Sequence, residues 1–188
     1  MDLARVLAAD LRDLAVDLSA NAYTRQTLAM LQLSLYRQVP SALGAVITLT
    51  DRDVPGCPIG INLLVQPVEP HEIAAALLIP LDVVEPPCNG NVVFYATTPT
   101  AFAELAPALA AALDVDPGSF NHQPDLPHTS VVPGITGLMD FSAVNRAVGV
   151  LVNRGRSLTA ARTELQRRAD KSQTDLPTAA QTLLNSPL

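Results

Sequence analysis

The chain has 188 residues, of which 48% are hydrophobic and 16% are charged, a composition that excludes an intrinsically disordered protein and suits a well-buried core. Only 4% are aromatic and Trp is absent, so the core must consist of Leu, Val, Ile and Ala. The net charge of −6 is unevenly distributed: residues 1–137 contain five basic and fourteen acidic residues, and residues 138–188 contain seven basic and four acidic ones. A basic segment of this kind attracts phosphate backbones, although a solvated helix face would have the same composition.

The first forty residues predict two amphipathic helices. Apolar residues recur at spacings of three and four through residues 3–18, with Asp and Arg on the opposite face. The same pattern returns in residues 24–39, and Pro40 ends it. We therefore expect two helices before the first strand.

Short apolar runs then predict four strands. They are residues 45–50, 61–66, 76–81 and 91–97. The third run contains Pro80 near its end, as expected for an edge strand, and Asn89-Gly90 is a hairpin signal. Residues 70–75 are a helical turn or a loop, and residues 99–113 are an Ala- and Leu-rich helix. This order of elements predicts an α+β fold, in which an antiparallel sheet has helices on one face.

Residues 117–137 are predicted to link two domains and to couple them. The segment is rich in Pro and Gly, and a loop of this length is usually functional or mobile. Helical patterns follow it: Gly155 ends a first helix, Ser157 caps a second, and Pro177 begins a third. The predicted domains are residues 1–116 and residues 138–188.

A spaced pattern of small and apolar residues runs through the three C-terminal helices. It consists of Ala147-x-Gly149-x-Leu151, Ser157-x-x-x-Ala161-x-x-x-Leu165-x-Arg167-x-Ala169, and Leu176 with Ala180. In this pattern, residues 145–184 resemble the ANTAR domain, the three-helix RNA-binding output module of bacterial transcription antiterminators. The resemblance implies a regulator of transcription antitermination that recognises paired RNA hairpins as a homodimer.

The upstream part resembles the GAF sensor domain, which often precedes ANTAR. The segments that carry this resemblance are AVITLT, ALLIPL and GNVVFYATTPTAF. It implies a GAF-like antiparallel sheet with flanking helices, and a pocket for a small molecule whose identity stays open. The candidate ligand-binding residues are Asn62, Leu64, Leu78, Phe94 and Tyr95. Ordinary core packing is the other interpretation of these five residues.

The basic residues of the ANTAR-like segment are the candidate RNA-binding residues. They are Arg154, Arg156, Arg162, Arg167, Arg168 and Lys171. In this hypothesis the affinity comes from contacts to phosphates, and the specificity comes from loop bases that stack or form hydrogen bonds.

The chain differs from the ANTAR pattern at three positions. Val148 stands where the family usually has Lys, Arg162 where it usually has an aromatic residue, and Gln166 where it usually has Arg. These differences support an alternative function: a degenerate, non-enzymatic protein that has lost RNA binding and serves dimerisation or protein interaction. A third interpretation is a ligand-binding sensor whose output is a protein partner.

The sequence contains no recognisable catalytic motif, so enzymatic activity is not expected. It has no P-loop, no dinucleotide-binding fingerprint and no nucleophile elbow, and the pair Asp51 and Asp53 is interpreted as part of a turn. His71, His122 and His128 are not spaced like metal ligands. We therefore expect no catalytic residue, no metal and no cofactor.

The remaining features indicate a cytoplasmic protein. Cys57 and Cys88 are too few for a disulfide framework and are interpreted as reduced thiols. The N-terminal sequence lacks the basic and apolar regions of a signal peptide, and no uncharged apolar run is long enough to cross a membrane.

Overall fold

The computed structural model describes residues 3–20, 25–50, 54, 56–122 and 125–185. The chain divides into two compact units. The first contains Met1–Leu49 and Ile61–Gly134, and the second contains Thr50–Gly60 and Ile135–Leu188. Compared with the domains predicted from the sequence, the second unit also takes residues 50–60 from the middle of the chain.

The predicted α+β class is confirmed. The helices are α1 (Leu3–Ser19), α2 (Arg25–Gln38), α3 (Leu81–Val84), α4 (Leu105–Leu113), α5 (Leu138–Asn153), α6 (Leu158–Ser172) and α7 (Leu176–Asn185). The strands are β1 (Ala42–Leu49), β2 (Ile59–Leu64), β3 (Ala75–Pro80), β4 (Gly90–Ala96) and β5 (Gly134–Thr136). Within the described residues, the four strands expected from the sequence correspond to β1 to β4, whereas α3 and β5 are too short to produce a recognisable period.

The strands form one sheet in the order β3-β4-β1-β2-β5. β4 pairs antiparallel with β1 on one side and with β3 on the other. β3 lies at an edge, where Pro80 has no interior ladder to interrupt. β1 shifts register near Gly44, whose φ is 141° and whose missing side chain makes room for the carbonyl oxygen of Leu63. A Cβ atom at this position would overlap that oxygen.

Alternation along β4 places side chains on both faces of the sheet. Phe94 belongs to the large core cluster of the first unit, with the apolar residues of α1 and α4, and its neighbours Val93 and Tyr95 belong to a smaller cluster. A hydrogen bond also links α1 to α4: the Nη2 of Arg12 donates to the carbonyl of Ala112 at 3.2 Å. Both faces of the sheet are therefore packed.

Much of the predicted linker is attached to the first unit. Val131 exchanges two backbone hydrogen bonds with Val68, each of 2.9 Å from nitrogen to oxygen. Asn121 exchanges two with Leu78, at 2.8 and 3.0 Å. Pro117–Ser119 forms a 3-10 turn. These bridges anchor the segment at two points, so its described residues are not a free tether.

The second unit is a three-helix cluster, as the sequence predicted. α5, α6 and α7 share one apolar core, and Val54 and Cys57 from residues 50–60 complete it. The predicted cap is present: the Oγ of Ser157 accepts a hydrogen bond from the backbone N–H of Ala160 at 3.2 Å. Gly155, with a φ of 88°, follows the end of α5. No helix among the described residues has the length and apolar character that a membrane span requires.

Replacing Leu11 by Ala should destabilise the protein strongly. Leu11 is fully buried in the large core, and removing such a side chain costs about 2–5 kcal/mol of unfolding free energy because it leaves a cavity. Urea unfolding followed by circular dichroism measures the change. Val65→Ala is the control, since Val65 is 77% exposed and its truncation should cost less than about 0.5 kcal/mol. Equal losses in both variants would contradict this assignment of the core.

Candidate nucleic-acid interface

Two of the candidate cations lie at the turn between α5 and α6. Arg154 directly follows α5, and Arg156 precedes the cap residue of α6. Both side chains are exposed. The turn therefore presents two positive charges to solvent.

Two further cations form an ion-pair cluster with Glu164 on α6. Arg167 donates from Nε to one carboxylate oxygen of Glu164 and from Nη2 to the other, each at 2.9 Å. The Nε of Arg168 donates to the same carboxylate at 2.9 Å. The Glu164 side chain is only 10% exposed, whereas those of Arg167 and Arg168 are 60% and 39% exposed. The carboxylate thus lies beneath two guanidinium groups that still reach solvent.

These contacts change the acidity of the carboxyl group. Hydrogen bonds from Arg167 and Arg168 lower the pKa of Glu164 from 4.5 to about 2, and the nearby charge of Arg156 contributes. Glu164 is therefore ionised at physiological pH. The cluster of one anion and two cations keeps a net positive charge.

A basic cleft lies at the C-terminal end of α6 and along α7. Its volume is about 320 Å³. Its polar lining consists of Arg167, Arg168, Lys171, Ser172, Thr174 and Thr182. Guanidinium, ammonium and hydroxyl groups are the side chains that most often bind phosphate oxygens, so the basic cleft is chemically suited to a phosphodiester.

An apolar groove on the same unit shares Arg167 with the basic cleft. Its volume is about 380 Å³. Its apolar lining consists of Val54, Val144, Val148, Leu165 and Leu176, and its polar lining consists of Arg162, Thr163, Gln166, Arg167 and Asp170. Val148, Arg162 and Gln166, the three positions that differ from the ANTAR pattern, therefore all line one groove. Sequence reasoning missed this because the three residues lie on two different helices.

The structure places the candidate ligand-binding residues of the sheet in two core clusters and at one hydrogen bond to the backbone. Phe94 is fully buried in the large core, while Leu64, Leu78 and Tyr95 pack in the smaller cluster. The Nδ2 of Asn62 donates a hydrogen bond to the carbonyl of Val132 at 2.8 Å. Packing accounts for the first four side chains, and a backbone partner accounts for Asn62.

None of the three histidines is among the residues that line the basic cleft or the apolar groove. His71, His122 and His128 are exposed, and Asp51 and Asp53 lie outside the described residues. In the part of the chain that the structure describes, no group of three or more His, Cys, Asp and Glu side chains could hold a metal ion.

The two thiols are buried and unpaired by a disulfide, in agreement with the expectation from the sequence. Burial raises the pKa of both Cys57 and Cys88. Both are therefore held in the protonated, poorly nucleophilic form at neutral pH.

The chain was also compared with known proteins. No protein-family model, no curated protein and no solved structure matches it.

Replacing Glu164 by Gln should remove a pH-dependent part of the stability. Because folding lowers the pKa of Glu164, its contribution is complete above about 4.5 and is lost as the pH falls toward about 2. The wild-type protein should therefore have the higher Tm from pH 7 to pH 5, and the difference should narrow at lower pH. Differential scanning calorimetry from pH 7 down to about pH 2 measures the difference in Tm between the two proteins.

The double variant Arg167→Ala, Arg168→Ala provides the matched control. It removes the two guanidinium groups that lower the pKa of Glu164, so the same acid-dependent part of the Tm should disappear. A Tm difference between wild type and Glu164→Gln that persists unchanged at low pH would show that the ion pairs are not its cause.

Proposed function

We propose that the protein is a cytoplasmic transcription regulator whose second unit binds RNA hairpins in an antitermination response. The observation that supports this proposal best is the basic cleft, where three cations and three hydroxyl groups surround one concave surface. The first unit then serves as a GAF-like sensor.

The cations of the cleft suit phosphate binding in both charge and geometry. A guanidinium group has five N–H donors, and the contacts to Glu164 involve two of those of Arg167 and one of those of Arg168. The side chains of Arg167 and Arg168 are also substantially exposed to solvent. Lys171 adds an ammonium group on the same wall. A phosphate in the cleft would therefore meet several charged donors at once.

Glu164 also supports binding by holding two of these side chains in place. An unrestrained Arg loses much rotamer entropy when it binds a ligand. The bidentate contact between Glu164 and Arg167 fixes one guanidinium before RNA arrives, and the contact to Arg168 restrains a second. Part of the ordering cost is thereby met in the free protein.

The composition of the unit favours phosphate contacts over base stacking. Residues 138–188 contain a single aromatic residue, Phe141, and it is partly buried against the helical core. Single-stranded RNA loops are usually read by aromatic or guanidinium planes. We therefore propose that Arg side chains, including Arg154 and Arg156 at the turn, contact both the phosphates and the bases of the loop.

A homodimer would present two such units to a paired hairpin target. α1 exposes Leu3 and Val16, and α2 exposes Met30 and Leu33, with 42–49% of each residue accessible. Exposed apolar side chains on neighbouring helices are common at subunit interfaces. Sedimentation equilibrium should therefore give twice the mass of one chain, and a monomer at micromolar concentration would contradict this part of the proposal.

The RNA proposal is tested by titrating the full chain into labelled RNA that carries two short hairpins, with a scrambled RNA for comparison. The hairpin RNA should bind more tightly, and its affinity should fall with salt as counterions are released. Lys171→Ala should weaken binding and reduce the slope of log K against log salt by about one, as expected for one lost phosphate contact. Fluorescence anisotropy at several salt concentrations measures both quantities.

Arg25→Ala is the matched control because it removes one exposed cation from α2 in the first unit. It should leave both the affinity and the salt slope unchanged. Equal effects of the two variants would indicate non-specific attraction, and the absence of any hairpin preference in a folded protein would contradict the proposal.

Protein interaction is the second candidate function, and the apolar groove favours it. The three positions that differ from the ANTAR pattern line a surface that is mainly apolar. An RNA-binding surface would be richer in cations and hydrogen-bond donors. A folded dimer that binds neither RNA at low salt would support this second function over the first.

A further inference from the structure

We propose, on the basis of the function proposed above, that α7 reads the loop bases of an RNA hairpin through the carboxamide side chains of Gln181 and Asn185. Both residues are exposed and lie in the C-terminal half of the helix. Cationic grooves border this part of α7 on two sides. The helix therefore combines an uncharged hydrogen-bonding face with flanking positive charge.

The exposed face of α7 consists of uncharged polar side chains. Thr178, Gln181, Thr182 and Asn185 follow one another at spacings of three, one and three residues, so they form one stripe along the helix, and all four are exposed. The hydroxyl of Thr182 donates to the carbonyl of Thr178 at 2.9 Å. By contrast, the side-chain amides of Gln181 and Asn185 have no hydrogen-bond partner among the described residues. The two carboxamides are thus available to a ligand.

The basic cleft borders this stripe on one side. Ala179 and Thr182 belong to its lining, and Lys171 faces them from the end of α6. The ion pairs of Glu164 engage Arg167 and Arg168, whereas Lys171 is exposed and forms no ion pair within the described part of the chain. Lys171 therefore supplies a positive charge that Glu164 does not engage.

A second groove, here named the α5 groove, borders the stripe on its other side. Its volume is about 440 Å³. Its lining consists of Arg146, Gly149, Val150, Asn153, Arg154 and Leu184. At 3.6 residues per turn, Leu184 lies on the opposite flank of the stripe from Ala179 of the basic cleft. Arg146 and Arg154 are exposed, and neither forms an ion pair with a described residue, so this flank is positive as well.

The acidic residue next to α7 lies at the other end of the helix. Asp175 directly precedes α7, and its carboxylate accepts a hydrogen bond from the backbone N–H of Thr178 at 2.8 Å. α7 itself contains no acidic residue. A polyanion is therefore favoured along the C-terminal half of the stripe, where Gln181 and Asn185 lie, and disfavoured beside Asp175.

Carboxamides are suited to bases more than to phosphates. Each one offers two N–H donors and a carbonyl acceptor, which match the paired donor and acceptor on the edge of a base such as adenine. A phosphate oxygen accepts hydrogen bonds only, and the cations on the two flanks can supply those contacts. The deep groove of an RNA duplex is closed to side chains, whereas unpaired loop bases expose their edges. The loop of a hairpin is therefore the part that α7 would read.

A pool of two-hairpin RNAs with randomised loop bases is the probe that tests this assignment. RNAs that bind the full chain are recovered and sequenced, and the wild type should enrich loops that share particular bases. The double variant Gln181→Ala, Asn185→Ala should lose this enrichment, and its affinity for the preferred hairpin should fall about tenfold. The slope of log K against log salt should stay the same, because no phosphate contact is removed. Fluorescence anisotropy measures the affinity and the slope.

Two variants serve as controls. Asn145→Ala makes the same change as Asn185→Ala, on an exposed residue of α5 that lines neither the basic cleft nor the α5 groove. It should retain the affinity and the loop preference of the wild type. Lys171→Ala should weaken the binding of all loops alike and preserve the preference, since phosphate contacts carry no sequence information. Ala favours helix at exposed positions, so circular dichroism should show that the variants remain folded.

The outcomes separate the role of α7 from RNA binding itself. If the wild type enriches particular loops and the α7 double variant enriches the same loops with equal affinity, the assignment to α7 is wrong while the RNA proposal stands. If the folded wild type binds none of the hairpins, both are wrong. Equal losses in Asn145→Ala and in the α7 double variant would also overturn the assignment, because the effect would not be specific to α7.

Discussion

Close packing through alanine is the constraint on which the C-terminal unit depends. Ala147 on α5, Ala161 and Ala169 on α6, and Ala180 on α7 are almost completely buried. Small residues at these contacts let the helix backbones approach each other, so the few Val and Leu side chains can complete the core. The basic residues of α6 are then placed on the surface that this packing leaves free, whereas Glu164 is buried.

Glu164 holds two of these basic side chains, Arg167 and Arg168, in fixed positions. It is the one acidic residue among the buried polar residues of the described chain, and its two Arg partners follow it by three and four positions on the same helix. The partners shield its charge and in return are held in fixed positions. Arg167 lines both the basic cleft and the apolar groove, so the field of one site extends to the other.

The two units use their apolar residues differently. In the first, alternation along the strands supplies two packed faces, and Asn121 and Val131 contribute backbone pairs to that arrangement. In the second, a three-helix core leaves a groove whose lining is mainly apolar.

Local patterns in the sequence determined the described helices other than α3, four strands, the Ser157 cap and the α+β class, because each depends on neighbours within a few residues. The helical period also placed the cations on α6. Only the tertiary structure decided that Val54 and Cys57 join the helical core, and that Val148, Arg162 and Gln166 line one groove. These contacts depend on packing between segments distant in sequence, which no local period encodes.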